Sequence, residues 1–225
     1  MINAFDIIDD NDRFIVINKY NDIDFHTSNQ QLGIVELVKQ QLGYSQLFPV
    51  HRLDKMTSGL LILAKDSICA AAFGELFEQR KMHKYYIALS DKKPKKKQGL
   101  IKGDMTKGRN GSYLLLKTTN NPALTQFFSY SINCGLRLFL LKPHSGKTHQ
   151  LRVAMKSLGA PIIGDSRYYP GPTEGVGYLH AWKLSFELFS QKYHFTAQPR
   201  WCEYETAEQW LLQAAEPDGL AWPRV

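Results

Sequence analysis

The chain has 225 residues, 44% hydrophobic and 12% aromatic, with a formal charge of +7 at neutral pH. That composition excludes a disordered or fibrous chain and suits one large or two small globular domains, while the positive charge favours a polyanionic partner whose phosphates Lys and Arg can neutralise. Three cysteines, Cys69, Cys134 and Cys202, are an odd count without close spacing, which excludes a disulfide framework and a zinc cluster and points to a reducing compartment.

Residues 1–13 carry four aspartates and lack the basic and apolar segments of a signal peptide, and no run is apolar for long enough to span a bilayer. A soluble, cytoplasmic protein is expected. Phe14 to Ile17 reads as a buried strand, and Leu32 to Leu42 as a short helix closed by Gly43. Gly59 to Ala64 is a second buried strand, preceded by the polar turn around Asp54. Asp66 or Ser67 can cap a helix in which Ala72, Phe73, Leu76 and Phe77 share a face. Tyr85 to Leu89 reads as a strand. Asp91 to Gly99 is a lysine-rich loop containing Pro94 and the best internal boundary. Tyr113 to Thr118, Leu124 to Ile132 and Leu136 to Leu141 predict an antiparallel meander, with turns at Asn120-Asn121-Pro122 and Asn133-Cys134-Gly135. Thr148 to Leu158 predicts a helix with Leu151, Met155 and Leu158 on one stripe and Thr148, Arg152 and Lys156 on a second, basic stripe; Gly159 and Pro161 end it. Leu184 to Leu188 and Tyr193 to Ala197 predict a closing strand pair, and Glu203 to Ala214 a terminal helix. Without regular βαβ alternation, the expected fold class is α+β, a mixed, largely antiparallel central sheet with flanking helices in a single domain over residues 1–225, with any subdomain boundary near 91–99.

The segment His51-Arg52-Leu53-Asp54-Lys55-Met56-Thr57-Ser58-Gly59-Leu60-Leu61 sets ionisable and polar groups directly before a buried strand, where a scaffold presents reactive groups to a cleft. An arbitrary segment of this kind is more simply an Asp turn bonding its own backbone amides. The full pattern His51-Arg52-Leu53-Asp54-x-x-Thr57-Ser58-Gly59-Leu60 resembles the signature of the RluA family of RNA pseudouridine synthases. Lys84-Tyr85-Tyr86-Ile87-Ala88 is similar to the family's Lys-x-Tyr-x-Ala strand, and Gly146-Lys147-Thr148-His149-Gln150-Leu151-Arg152 to its Gly-Arg-Thr-His-Gln-Ile-Arg helix start. Leu158 to Asp165 with Tyr168, and Leu179-His180-Ala181, resemble later landmarks in the expected order. The resemblance spans about Phe14 to Phe186.

The resemblance implies a cofactor-independent enzyme that isomerises uridines in structured transfer RNA, ribosomal RNA or both. It implies Asp54 as the catalytic carboxylate, Arg152 as the cation that keeps it ionised and Tyr86 as the aromatic face for the extruded uracil. RNA contacts are implied at His51, Arg52, Thr57, Lys84, Lys147, Thr148, His149 and Gln150. The run Lys92-Lys93-Pro94-Lys95-Lys96-Lys97, with Lys102, Lys107 and Arg109, reads as a solvated loop able to add affinity for phosphates. No metal is expected, because His51, His83, His144, His149 and His180 lack ligand spacing. Ser145-Gly146-Lys147-Thr148 looks like the end of a P-loop, but Leu141 stands where that motif needs glycine. Two departures from the family are visible: Lys19-Tyr20-Asn21-Asp22 replaces a Lys-Pro-x-Gly turn, and too few residues precede the first strand for an S4-like domain, so RNA selection is expected to rest on the catalytic domain of a monomer. The rival readings are a noncatalytic RNA-binding protein on the same fold and, ranked lower, a glycosidase, for which Asp54 lacks a motif-supported second acid.

Overall fold

A computed structural model describes residues 4–27, 31–132, 135–173, 175–213 and 216–225. In chain order its elements are β1 (Phe5–Asp10), β2 (Phe14–Lys19), α1 (Ile34–Leu42), β3 (Phe48–Pro49), β4 (Ser58–Ala64), α2 (Ser67–Glu78), β5 (His83–Ser90), β6 (Gln98–Gly103), β7 (Met105–Lys107), β8 (Tyr113–Leu115), β9 (Ala123–Ser131), β10 (Arg137–Pro143), α3 (Gln150–Ser157), β11 (Leu179–Leu188), β12 (Gln191–Thr196) and α4 (Tyr204–Gln213). The chain forms two compact units, residues 1–84 with 180–199 and residues 85–179 with 200–225. The lysine-rich loop at 91–99, expected as the best boundary, lies inside the second unit.

In the first unit the strands run β1-β2-β4-β11-β12, with β3 also on β4. Both β2 and β4 are buried along their whole length, as their unbroken apolar runs require. Strand β1 was not expected, because Phe5–Asp10 is acidic and only Phe5 is fully buried. It pairs antiparallel with β2 through a bulge between Ile7 and Asp9. Phe14 anchors the core, its ring meeting Phe73 at 5.5 Å, Phe186 at 6.0 Å and Tyr193 at 5.1 Å edge to face. Helix α2 starts where its cap was expected: the Asp66 carboxylate accepts from the Cys69 N–H at 2.7 Å. Helix α1 ends at Gly43, whose φ of 75° places it in the left-handed region.

Strand β11 lies parallel to β4, His180 opposite Ser58 and Ala181 opposite Gly59. Gly59 permits that approach. Its φ is +110°, and a Cβ there would stand 2.3 Å from the Ala181 carbonyl oxygen. Beside it, the buried His180 ring donates from Nε2 to the Ala197 carbonyl at 2.8 Å and accepts from the Ser58 hydroxyl on Nδ1 at 2.8 Å. Burial holds the pKa of this ring down at about 4, against the Ala197 hydrogen bond, which favours the charged form.

In the second unit the order is β5-β10-β9-β6, all antiparallel where paired, and β7 with β8 forms a separate ribbon. The expected meander keeps β9 and β10 but loses β8. Strand β6 takes the place beside β9 instead, and β8 folds onto β7. Neither β6 nor β7 carries the alternation that identifies a strand, since Gln98–Lys107 is largely polar and only Ile101 and Gly103 are fully buried. The expected turn residues 133 and 134 lie outside the described residues. Helix α3 runs from Gln150 to Ser157, with Gly159 left-handed beyond it. The C-terminal segment crosses this unit's sheet: the Trp222 ring stacks on Tyr85 at 5.8 Å and meets Phe128 edge-on at 4.8 Å. The fold class is the expected α+β with a mixed, mostly antiparallel sheet. Among the described residues no helix is long and apolar enough to cross a membrane.

The His180 geometry makes a stability prediction. Its folded pKa lies below the unfolded value, so between pH 6.5 and about 4 the unfolded chain binds a proton that the native chain does not, and stability falls as pH drops through that window. One such histidine contributes a slope of up to about 1.4 kcal/mol per pH unit. Urea unfolding at stepped pH should give a shallower acid slope for His180→Asn than for the wild type; parallel slopes would refute the role.

Candidate active site

Asp54 sits half-buried in the turn that leads into β4, where the Thr57 N–H donates to the Asp54 carbonyl at 3.0 Å. What holds this turn is Lys19, the last residue of β2, whose side chain is 0% exposed. Its ammonium donates to the carbonyls of Tyr20 at 2.9 Å, Ile23 at 3.0 Å and Lys55 at 3.2 Å. All three protons of the ammonium thereby have acceptors, and the loop after β2 is tied to the turn carrying Asp54. Burial pushes the Lys19 pKa down to about 8, while the nearby Asp22, Asp24 and Asp54 carboxylates oppose that shift and keep the amine charged at neutral pH. Asn21 reinforces the junction by donating to the Met56 carbonyl at 2.6 Å. The loop that departs from the family's Lys-Pro-x-Gly pattern is thus ordered around its lysine.

Other residues of the motif divide by exposure. Thr57 is buried and Arg52 is exposed, its guanidinium 5.9 Å from the Phe25 ring centre. His51 serves the sheet: β3 ends at Pro49, and His51 Nε2 accepts the Ile62 N–H of β4 at 3.0 Å.

In the second unit, Tyr86 lies half-buried on β5 opposite Leu141 of β10. Its neighbour Tyr85 points to the other face, as strand periodicity requires, where its hydroxyl bonds Asp218 beneath Trp222. Two adjacent tyrosines are therefore separated into one packed under the C-terminal segment and one on the opposite face.

Arg152, expected on the basic stripe of α3 and by the resemblance in the catalytic site, is buried. It is 7% exposed, and its Nε and Nη2 donate to the two carboxylate oxygens of Asp165 at 2.8 Å each. Asp165 is fully buried and also accepts from the Arg167 N–H at 3.0 Å and the Tyr168 N–H at 3.2 Å. The forked pair fixes the plane of the guanidinium, with Tyr168 stacked 5.1 Å away. Tyr168 in turn sets His149. Its hydroxyl accepts the Tyr113 N–H at 2.7 Å and is hydrogen-bonded to His149 Nδ1 at 2.9 Å, which orients the imidazole. His149 itself has a φ of 56°, a strained value for a residue with a Cβ, directly before α3.

Gln150 is buried, with its amide wholly engaged inside the protein. Oε1 accepts from the Ser145 hydroxyl at 2.8 Å and the Lys147 N–H at 3.0 Å, and Nε2 donates to the Leu124 carbonyl at 3.1 Å and the Thr125 hydroxyl at 3.0 Å. It shapes the loop on which half-buried Lys147, bonded to the Asn121 carbonyl, and exposed Thr148 are carried. Lys19, Asp165 and Tyr168 carry no role in the sequence reading. Asp165 and Tyr168 stand among its landmarks, but an acid thirteen residues beyond an arginine has no local signature that announces a pair.

Solved structures with this fold are pseudouridylate synthases. Human RNA Pseudouridylate Synthase Domain Containing 1 aligns with a TM-score of 0.79 at 22% identity, covering 96% of this chain and 97% of that one. Human RNA Pseudouridylate Synthase Domain Containing 4 aligns at 0.72 with 26% identity, covering 86% and 88%. These neighbours define the fold as that of an RNA pseudouridylate synthase domain. The sequence profile of the RNA pseudouridylate synthase family matches residues 13–157, and an uncharacterized RNA pseudouridine synthase of Haemophilus influenzae is 49% identical over 210 residues, 91% of this chain and 93% of its own length. The chain belongs to the RNA pseudouridine synthase family, and it is an isomerase that acts on RNA. Ribosomal large subunit pseudouridine synthase C of Rickettsia bellii is 33% identical over 158 residues, 66% of this chain and 52% of the relative.

Removing one partner of a buried ion pair strands the other, which costs about 3–5 kcal/mol. Asp165→Ala should lose about that much in urea unfolding and should lower turnover, because Arg152 loses its fixed plane; a variant with wild-type stability would refute the pairing.

Proposed function

We propose that the protein converts selected uridines of structured ribosomal RNA, transfer RNA or both into pseudouridine, with Asp54 as the essential carboxylate. The target base leaves its stack, the glycosidic bond breaks, the uracil turns, and its C5 rejoins the ribose. Substrate and product are isomers, so the reaction needs no net oxidant, reductant or group donor. Tyr86 offers the aromatic face for the extruded uracil, which recovers part of the few kcal/mol of unstacking. Arg152, its guanidinium plane fixed by Asp165, is the cation that the family resemblance assigns to the chemistry. Arg52, Lys147, Thr148 and His149 contact the RNA around that nucleotide, and the lysine loop at 92–97 adds salt-dependent affinity.

The observation that carries this reading is the Asp54 turn. A carboxylate is held half-buried on a loop tied down by a fully buried ammonium, and it falls in the motif by which the chain resembles RluA-type enzymes. A turn that only closed on its own amides would not require a desolvated lysine beneath it. Ribosomal RNA is the first substrate to test, since relatives at 33% and 32% identity are named for the ribosomal large subunit.

The test is to incubate the purified protein, without cofactor, with unmodified ribosomal and transfer RNA and to map pseudouridine by chemical labelling and primer extension. Wild type should modify discrete positions. Asp54→Asn keeps the shape but deletes the charge, so it should form no pseudouridine while binding RNA within about three-fold of wild type. Full activity in the variant would remove Asp54 from the chemistry, and tight binding without modification by the wild type would leave a noncatalytic RNA-binding protein.

A further inference from the structure

Strand alternation puts Gln126, Phe128 and Tyr130 of β9 on one face of the second unit's sheet, and Lys142 of β10, paired with Gln126, on the same face. Tyr85 of β5 joins them, its ring centre 5.2 Å from the Lys142 ammonium. This is the face turned away from Tyr86. Trp222, from the segment after α4, lies across it with its ring 4.8 Å from Phe128 and 5.8 Å from Tyr85, and Lys142 stands 5.3 Å from the same indole. Phe128 continues the row to Tyr130, the two rings stacked at 6.4 Å with an interplanar angle of 24°.

The row has two properties that packing alone does not require. Tyr85 is buried and forms its floor, whereas Phe128, Tyr130, Lys142 and Trp222 each keep part of their surface in water. The segment carrying Trp222 also adds no strand to the sheet. Its main chain bonds within itself, the Gly219 N–H donating to the Glu216 carbonyl at 2.9 Å and the Trp222 N–H to the Leu220 carbonyl at 2.8 Å, and the indole N–H donates to the Pro217 carbonyl at 2.7 Å. Side chains moor it: the Tyr85 hydroxyl bonds the Asp218 carboxylate and the Gln126 amide bonds the Pro223 carbonyl. With its one donor engaged, the indole offers only its aromatic surface to a ligand. The Asp218 charge supports the Lys142 ammonium against the pull of burial. Aromatic faces in a row with a cation among them suit a chain that alternates flat bases and phosphates.

We propose that Tyr130, Phe128, Trp222 and Lys142 form a stacking platform for unpaired bases of RNA, the rings taking bases and the ammonium a phosphate between them. The platform lies on the sheet face opposite Tyr86, so it contacts RNA away from the reacting nucleotide. It depends on no role for Asp54.

The experiment titrates the full chain with a short oligoadenylate, a single strand without uridine that a pseudouridine synthase cannot isomerise. In the wild type, the Trp222 indole N–H signal, assigned by comparison with Trp222→Phe in a 15N spectrum, should shift on binding, because a stacked base adds its ring current. The double variant Phe128→Leu with Tyr130→Leu keeps apolar packing and removes two aromatic faces. It should bind about ten-fold more weakly while the slope of log Kd against log salt stays at the wild-type value. Lys142→Gln should make that slope shallower by about 0.7, one phosphate contact on a single strand. An unmoved Trp222 signal, or wild-type affinity in the double variant, would overturn the platform and leave the row as packing for residues 216–225; the wild-type spectrum decides even where a variant fails to fold. Pseudouridine formation on ribosomal RNA is scored separately. A wild type that makes pseudouridine but fails the oligoadenylate titration loses only the platform; one that binds oligoadenylate at Trp222 but makes none keeps the platform and loses the catalytic reading.

Discussion

Three main-chain carbonyls, from Tyr20, Ile23 and Lys55, converge on the buried Lys19 ammonium, and the turn bearing Asp54 depends on that convergence. Carbonyl oxygens that leave water need donors, and a loop cannot always supply them from its own amides. A lysine at the end of β2 supplies three at once. It couples two loops that are distant in sequence and sets a positive charge near a carboxylate. The pKa near 8 records the balance: desolvation pulls it down, and three aspartates hold it high enough for charge at neutral pH.

The protein holds its buried cations in three ways, and each suits a different task. Lys19 is hydrogen-bonded to three carbonyl dipoles, which orders backbone. Arg152 is held by a forked carboxylate pair with Asp165, which fixes a plane and resists rotation. Lys84 is held over an aromatic face, the weakest of the three arrangements. The histidines show the same economy of roles. Burial holds His51 and His180 neutral, with pKa values far below the ordinary one, and His149 is oriented by its hydrogen bond to Tyr168.

Much of the fold could be read from local pattern. The unbroken apolar runs of β2 and β4, the Asp66 cap of α2 and the Gly43 and Gly159 helix ends are short-range effects, and they stand where expected. Strands β1, β6 and β7 were not legible because their residues are acidic, polar or glycine-containing. Such segments become strands only when a neighbouring strand supplies the hydrogen bonds, as β2 does for Phe5–Asp10 and β9 does for Gln98–Gly103.

By itself the sequence determined the family, the aspartate motif, the element types in the apolar stretches and the basic character that suits an RNA substrate, because each is carried by residues close together in the chain. Only the tertiary structure decided that Arg152 is buried on Asp165 rather than exposed on a helical stripe, that Tyr85 and not Tyr86 is packed beneath Trp222, that Gln150 shapes a loop, and that Lys19 underlies the Asp54 turn. The physical reason is the same in each case. The orientation and charge state of a polar side chain follow from which donors, acceptors and rings surround it, and those partners arrive from elements whose separation in sequence bears no relation to their distance in space.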